Sequence, residues 1–432
     1  MIVAIGAIVM DNMSATLALP AIARHFAIED ARSIWVINTY QLVLICCILP
    51  IAAIAERIGY RKVYIVGLVM FAIMSVCSAS APTFELLVLS RGLQAVATAC
   101  VFSVNLALIR TIFPESKLGG ALGINATAGA IATAAGPSIA GFLIDHASWQ
   151  WIFALGIPFT VAAAIVSCVA LPASPGKDRK FDTISSILSA LTFGGLLMGI
   201  SSIGHQWALE VSITLLVTGV VSGFILVIRL KGAMDPLLPV DLLAIPAFAV
   251  SALASILAFT AQMIAFVSLP FHMQATLQLT AAETGLAFSS WPLAMACTAA
   301  VSGMLADRLP QRLLSAIGLL TLALGLGLLA GLDAGSSFVD IAARLAICGV
   351  GFALFLSPNN RILLSSAPKS RASAAGGLLG TARLLGQALG TALATFAVMT
   401  NGGDASYALW GAMGIAFLAA LVATSHRDRF RT

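Results

Sequence analysis

Asp11 and Arg91 are ionisable residues that lie inside runs of the sequence that are otherwise apolar. Asp11 interrupts the first apolar run, "IGAIVMDNMSATLALPAIARHF", and is the one carboxylate that we place deep within such a run. An ionised group in hydrocarbon costs several kcal/mol, so acids of this kind usually face an internal cavity. Burial raises the pKa of a carboxylate and a nearby cation lowers it, so a wet cavity can tune such a group to exchange protons. We predict that Asp11 carries a proton, the positive charge of a substrate, or each in turn.

Arg91 and Arg383 are the cations that lie farthest inside apolar runs. For Arg91 two interpretations remain open: a fixed partner for helix dipoles or carbonyl groups, or a cavity residue that modulates the proton site. Arg383 is placed to line a cavity in the second half of the chain, where it would suit an anionic or zwitterionic substrate.

Uncharged polar residues within the apolar runs are candidates for a substrate cavity. They can equally bond one helix to another, and we expect roughly half of them to face the cavity, since binding pockets combine apolar walls with few polar groups. These candidates are Asn38, Tyr40, Gln41, Asn105, Asn125, Gln262, Asn359, Asn360 and Gln387.

The composition determines the environment of these residues. Of the 432 residues, 60% are hydrophobic and 9% are charged, and the mean hydropathy is +1.02. Soluble domains carry about 25% charged residues, so this chain is predicted to be an all-α, polytopic membrane protein. At about 20 residues per crossing, we count about fourteen spans. They begin near Met1, Ser33, Val63, Phe84, Leu118, Trp151, Ile184, Val211, Ala247, Thr284, Leu313, Phe338, Ser373 and Ser406.

Basic residues follow the even-numbered spans. Most of the 23 Lys and Arg residues lie in these loops or after the last span. Because basic loops stay in the cytoplasm, both termini are predicted to be cytoplasmic. No basic residue precedes the first span, so we expect the natural start to lie upstream of Met1.

The sequence contains an internal repeat. "AERIGYR" from Ala55 and "ADRLPQR" from Ala306 share an order of small, acidic and basic residues and lie 251 residues apart. Parallel repeats are typical of transporters in which two bundles alternate access to a central site. We therefore predict an N-terminal six-helix bundle over 1–171, two inserted linker helices over 172–231, and a C-terminal six-helix bundle over 232–432.

Several motifs occur in the order found in one family. "AAIAERIGYRK" resembles the loop motif G-x-L-a-D-r-x-G-r-k of the major facilitator superfamily, with Ala52 and Glu56 at its Gly and Asp positions. "DNMSATLALPAI", "LSRGLQAVATA", "GAIATAAGPSIAG", "SWQWIFALGIP" and "TARLLGQALG" are similar to motifs of its fourteen-span drug:proton antiporters, with Ala95 and Ala140 where Gly is usual. The chain therefore resembles a bacterial inner-membrane member of that group. This resemblance implies the major facilitator fold and a location in the cytoplasmic (inner) membrane of a bacterium.

The resemblance assigns roles to two further sets of residues. It implies that acidic and arginine residues at the cytoplasmic side hold the two halves together in the outward-facing state, and we call this set the latch. Alternatively, the same residues form a solvated charge cluster that only sets the orientation of the chain in the membrane. This set is Glu56, Arg57, Gly59, Arg61, Asp307, Arg308 and Arg312. The second set forms a stripe of small residues with a kink, which in the family helps to prevent leak and in any case allows close packing. It consists of Gly129, Gly136, Pro137 and Gly141.

The predicted function is proton-coupled export of small amphipathic or cationic compounds. The sequence contains no nucleotide-binding loop, nucleophile elbow or metal-ligand spacing, so we expect no enzymatic activity and no cofactor. Expected partners are a small-molecule substrate, protons and the lipid bilayer. Nucleic acid is excluded because the basic residues form no patch, and the protein is expected to be a monomer. Alternatives are a carrier for one specific metabolite, favoured by Arg383 and by the scarcity of carboxylates, and a transporter-like sensor.

Overall fold

The computed structural model describes residues 1–172, 174, 176, 182–204, 208–231, 240–333, 335–368, 371–400 and 406–425. Over these residues the regular structure is helical throughout, without a β-strand. The prediction of an all-α protein is confirmed. This follows from the composition, because an apolar chain in lipid must satisfy its backbone hydrogen bonds within each segment.

Sixteen α-helices occur in the described part of the chain. The first eight are α1 (Ile2–Leu17), α2 (Leu19–Phe26), α3 (Asp30–Ser33), α4 (Trp35–Ile58), α5 (Tyr60–Ala79), α6 (Phe84–Ile112), α7 (Glu115–His146) and α8 (Gln150–Ala170). The others are α9 (Thr183–Gly204), α10 (Leu209–Lys231), α11 (Pro246–Phe271), α12 (Ala281–Arg308), α13 (Gln311–Ala330), α14 (Phe338–Ser366), α15 (Ala372–Thr400) and α16 (Ser406–Ser425).

Most of these helices can cross a membrane. Twelve described helices are long and apolar enough, and the pair α1 and α2, bent by 59° relative to each other, makes up to thirteen. The chain is thus a multi-pass membrane protein. Each predicted span start lies within three residues of the start of a long helix. The helix α15, which contains Arg383, is not among the twelve, and fourteen crossings stay a prediction.

The chain divides into two compact units. The first comprises Met1–Met198, Thr214–Gly223 and Leu279–Ser289, and the second comprises Gly199–Ile213, Phe224–Gln278 and Ser290–Thr432. The three-part division predicted from the repeat stays a prediction.

In the first unit, α6 packs against α4 and α5, and α1 packs along α7 and α8. Gly67 permits the approach of α5 to α6, because a Cβ atom there would lie 2.7 Å from the Cβ atom of Cys100. Tyr64, Phe71 and Val101 are fully buried in this core. The packing carries the buried face of α6, which includes Arg91, into the interior of the unit.

In the second unit, α13 packs on α14, and α11 packs on α15 and α16. The α13–α14 contact depends on Gly318 and Gly351: a Cβ atom on Gly351 would lie 2.4 Å from the backbone nitrogen of Leu322. Small residues that let helix backbones approach are the usual means of helix association in membranes.

We predict that Gly351→Ala destabilises the protein, because the added methyl group has no space against α13. Overpacking of this kind costs about 1–3 kcal/mol. Thermal unfolding of the purified protein in detergent should show a lower Tm. The matched control is Gly303→Ala, because a Cβ atom at Gly303 meets no atom within 4 Å. Equal Tm values for the two variants would contradict this account of the packing.

Candidate functional site

Asp11 and Arg91 form an ion pair inside the first unit. The Nη1 atom of Arg91, on α6, donates to Oδ2 of Asp11, on α1, at 2.6 Å. The side chains are only 1% and 0% exposed. The ion pair places Arg91 directly against the predicted proton site, and its role there stays a prediction. The carboxylate of Asp11 is closed off from solvent, and a wet cavity beside it stays a prediction.

Gln94 and Ser75 complete the hydrogen-bond network around this pair. The Oε1 atom of Gln94 accepts from Nη1 of Arg91 at 2.5 Å, and its Nε2 atom lies 3.4 Å from Oδ1 of Asp11. Nε2 also donates to Oγ of Ser75 on α5 at 2.9 Å. Sequence reasoning missed both residues. The available signal was the position of Gln94, which lies one helical turn after Arg91 and hence on the same face of α6.

Two aromatic rings flank the guanidinium of Arg91. Its Cζ atom lies 4.5 Å from the ring centroid of Tyr40 and 5.1 Å from that of Phe153. Rings in this position attract a cation, more strongly where water is excluded. The hydroxyl group of Tyr40 is within 2.8 Å of Oγ1 of Thr98, which fixes the ring. Within the described residues, Nε and Nη2 of Arg91 have no hydrogen-bond partner.

The arrangement places a carboxylate, which can bind a proton, directly against a cation. Protonation of Asp11 would remove the negative partner and leave the guanidinium of Arg91 buried without a counter-charge. Breaking a buried ion pair in this way costs about 3–5 kcal/mol in soluble proteins, so the protonated state favours a rearrangement that gives Arg91 a new partner. The pair can therefore act as a proton-operated switch.

Of the five polar candidates in the first unit, Asn38, Tyr40, Gln41 and Asn105 are buried and Asn125 is half-buried. Asn38 and Gln41 lie buried on α4, the helix that also carries Tyr40. Asn105 on α6 donates to Oδ1 of Asn125 on α7 at 3.3 Å. The Asn105–Asn125 pair thus bonds one helix to another.

In the second unit, Asn359 bonds α14 to α11. Its Nδ2 atom donates to Oγ of Ser255 at 2.7 Å and to the carbonyl oxygen of Ser251 at 3.2 Å. The remaining polar candidates of this unit, Gln262, Asn360 and Gln387, are half-buried, whereas Arg383 is exposed.

The two copies of the charged repeat make equivalent bonds. Nη2 of Arg61 donates to the carbonyl oxygen of Cys168 near the end of α8. Nη2 of Arg312 donates to the carbonyl oxygen of Thr424 near the end of α16. Each arginine thereby satisfies a terminal carbonyl group, which helix ends otherwise leave unpaired.

The other members of the predicted latch are less enclosed. Arg57 and Arg308 are exposed and Glu56 is half-buried, while the side chain of Asp307 lies outside the described residues. Gly59 joins α4 to α5 with φ 102°, a conformation that favours glycine. A latch between the halves stays a prediction.

The glycine stripe of α7 makes close contacts at two of its three glycines. The carbonyl oxygen of Gly136 accepts from Oγ of Ser14 on α1 at 3.1 Å. A Cβ atom on Gly141 would lie 2.3 Å from the carbonyl oxygen of Ala281, at the start of α12, whereas Gly129 has open space around it. The same part of α12 also approaches the backbone of Pro137, which lies within α7.

Asp145, near the end of α7, caps the start of α12. Its carboxylate accepts from the backbone nitrogen atoms of Ala281 at 3.2 Å and of Ala282 at 2.8 Å. These contacts lie within the first unit, which includes Leu279–Ser289.

The chain resembles known transporters along nearly its whole length. A sequence profile described as Major Facilitator Superfamily matches residues 1–253 and 251–430. The uncharacterized transporter YebQ of Escherichia coli K12 is 39% identical over 424 residues, which cover 98% of this chain and 93% of YebQ. Multidrug resistance protein Stp of Mycobacterium tuberculosis CDC 1551 is 28% identical over 390 residues, covering 89% of this chain and 72% of Stp.

A solved structure of a POT family transporter in complex with a thioalcohol-conjugated peptide has a similar fold. The TM-score is 0.73 at 16% identity, over 98% of this chain and 93% of that one. An identity this low shows the fold alone.

We predict that Asp11 and Arg91 are energetically coupled. Arg91→Gln should lower the Tm strongly, because it leaves a buried carboxylate without its cation. The double variant Asp11→Asn, Arg91→Gln should lose less than the sum of the two single variants, by about 1 kcal/mol or more.

Arg344→Gln is the control, since the ion pair of Arg344 with Asp340 at 2.6 Å is partly exposed. Exposed pairs contribute about 0–1 kcal/mol, so this variant should change the Tm little. Strictly additive losses for Asp11→Asn and Arg91→Gln would show that the pair is not coupled.

Proposed function

Because the chain belongs to the Major Facilitator Superfamily, we propose that it is a proton-coupled transporter that exports small amphipathic or cationic compounds by alternating access. The observation that carries this proposal is the buried ion pair between Asp11 and Arg91. The similarity of the chain to multidrug resistance protein Stp supports export of drug-like compounds.

In the proposed cycle, substrate enters from the cytoplasm while Asp11 is ionised and paired with Arg91. The transporter then opens to the outside, where a proton reaches Asp11. Protonation frees the guanidinium of Arg91 from its partner. The cost of that unpaired buried charge shifts the equilibrium toward the conformation that releases substrate. Return of the proton to the cytoplasm restores the pair.

In this cycle Gln94 keeps the charged groups of Asp11 and Arg91 in position relative to each other. Its Oε1 atom accepts from Nη1 of Arg91 at 2.5 Å, and its amide nitrogen donates to Ser75. An amide oxygen remains an acceptor when Asp11 is protonated. The carboxylate can therefore change its charge while the guanidinium retains one acceptor.

The proposal includes the arrangement and location expected from the sequence. The chain works as a monomer in the cytoplasmic membrane of a bacterium with both termini in the cytoplasm, and it is a transporter rather than an enzyme. Its halves, 1–171 and 232–432, flank two inserted helices at 172–231. The charged repeats act at the cytoplasmic side as a latch.

A second candidate function is transport of one specific metabolite. Arg383, an exposed cation within the long helix α15, favours this candidate, because a fixed guanidinium selects for an acidic group on the substrate.

We predict that Asp11→Asn abolishes proton-driven export. A panel of cationic, neutral and anionic toxic compounds is tested on cells that express the wild type and on cells without it. Cells with the wild type should tolerate some of these compounds better, and the difference should increase at acidic external pH. A compound found in this way should drive proton movement in wild-type proteoliposomes and none in Asp11→Asn, because the amide cannot be protonated near neutral pH.

Asp340→Asn is the matched control, since Asp340 is an acid at the start of α14 that pairs with Arg344. It should retain wild-type export. Unchanged proton coupling in Asp11→Asn would contradict the role of Asp11. A wild type that moves neither compound nor protons would instead indicate a sensor.

A further inference from the structure

Arg383 has no charged partner within the described residues. It lies inside α15 and its side chain is exposed, yet no hydrogen bond or ion pair connects it to the described part of the chain. The contrast with other arginines is clear, since Arg91 pairs with Asp11 and Arg371 pairs with Asp241. A guanidinium inside a long, largely apolar helix without a counter-charge is unusual and marks a functional site.

The contact that holds Arg383 leaves its donors free. Its Cζ atom lies 5.2 Å from the ring centroid of Phe259 on α11. This contact needs none of the five N–H groups that a guanidinium presents in a fixed fork. The fork matches the two oxygens of a carboxylate.

The aromatic support beneath Arg383 is rigid. Phe259 is buried and meets the ring of Phe352 edge-on at 5.2 Å. Close packing of α15 on α11 fixes the position of Arg383 along α11. One contact of this packing is the hydrogen bond that Oγ1 of Thr260, on α11, donates to the carbonyl oxygen of Gly386, on α15, at 3.1 Å. A Cβ atom on Gly386 would lie 2.5 Å from the carbonyl oxygen of Ile256. Little reorganisation is therefore needed when a ligand binds.

The face of α15 around Arg383 has room for a ligand. Gly376, Gly380, Arg383 and Gln387 follow the spacing of one helix face. A Cβ atom at either glycine would meet no atom within 4 Å. Further along the same face Ala394 is fully buried. The open face thus ends just beyond Arg383 and Gln387.

This face is better suited to water than to lipid. A guanidinium that pointed into hydrocarbon in the interior of a helix would be costly, so Arg383 requires solvent or an anion beside it. The two glycines leave open space on the same helix face as the cation. Such a space fits the apolar body of a compound whose acidic group reaches the guanidinium.

We propose that Arg383 is a substrate-binding residue that recognises an acidic group, of the carboxylate type, on a small compound with an apolar body. Gln387, one turn further along, supplies a second hydrogen bond, and the open face at Gly376 and Gly380 accommodates the apolar part. The inference rests on the proposed transport function and adds that organic acids and zwitterions are among its amphipathic substrates.

The test compares 2-naphthoate with 2-naphthamide, which differ in charge but hardly in size. Binding of each to the purified wild type is measured by calorimetry without a proton gradient. We expect naphthoate to bind at least tenfold more tightly than naphthamide to the wild type, because charge-assisted bonds to a fixed guanidinium are strong. In Arg383→Gln this ratio should fall to about one, with naphthamide binding retained.

Arg371→Gln is the matched control, because Arg371 lies just before the same helix and pairs with Asp241 at 3.0 Å. It should keep the wild-type ratio. Should Arg383→Gln fail to fold, Gly380→Leu provides a second test, since the added side chain fills the open face and should weaken both compounds at least tenfold.

A wild type that does not prefer naphthoate, an unchanged ratio in Arg383→Gln, or unchanged binding in Gly380→Leu would each overturn the proposal. Because these measurements need no gradient, their failure is distinguishable from loss of proton-coupled export. The proposed function can fail by its own test while the anion preference persists.

Discussion

The ion pair between Asp11 and Arg91 is the interaction on which the first unit depends. Neither charge is tolerable alone at this depth, and each is stabilised by the other, by Gln94, and by the rings of Tyr40 and Phe153. The pair joins the first helix, α1, to α6. In the proposed function, a proton on the carboxylate changes the balance of forces between these two helices and thereby favours conformational change.

Close backbone contacts and repeated caps provide the frame around that pair. Glycines allow the helices of each unit to approach, as at Gly67 and Gly351. The charged repeat performs the same task in each unit, because Arg61 and Arg312 both bond carbonyl groups near the end of a helix. Equivalent anchors in the two units are consistent with the internal repeat and leave the functional differences to Asp11 and Arg91 in one unit and Arg383 in the other.

The helices and the two charged residues inside them could be identified from the sequence, but the pairing of Asp11 with Arg91 and the network around the pair could not. Long apolar runs are defined by length and composition, so each predicted span start falls close to a helix start. A charge in an apolar run is conspicuous, whereas Gln94 and Ser75 are neutral, and only tertiary packing reveals that they touch the pair. The burial of Asp11 was not evident either, because sequence does not reveal how tightly neighbouring helices close around a site.

Infrared difference spectroscopy of the purified protein between alkaline and acidic pH tests the central claim most directly. The chain has 18 Asp and Glu residues, so the signal of Asp11 is the difference between the wild-type spectrum and that of Asp11→Asn. The account predicts that this difference contains a band of a protonated carboxyl group together with changes in the guanidinium bands. Identical spectra for the wild type and the variant would show that Asp11 is not the residue that takes up the proton.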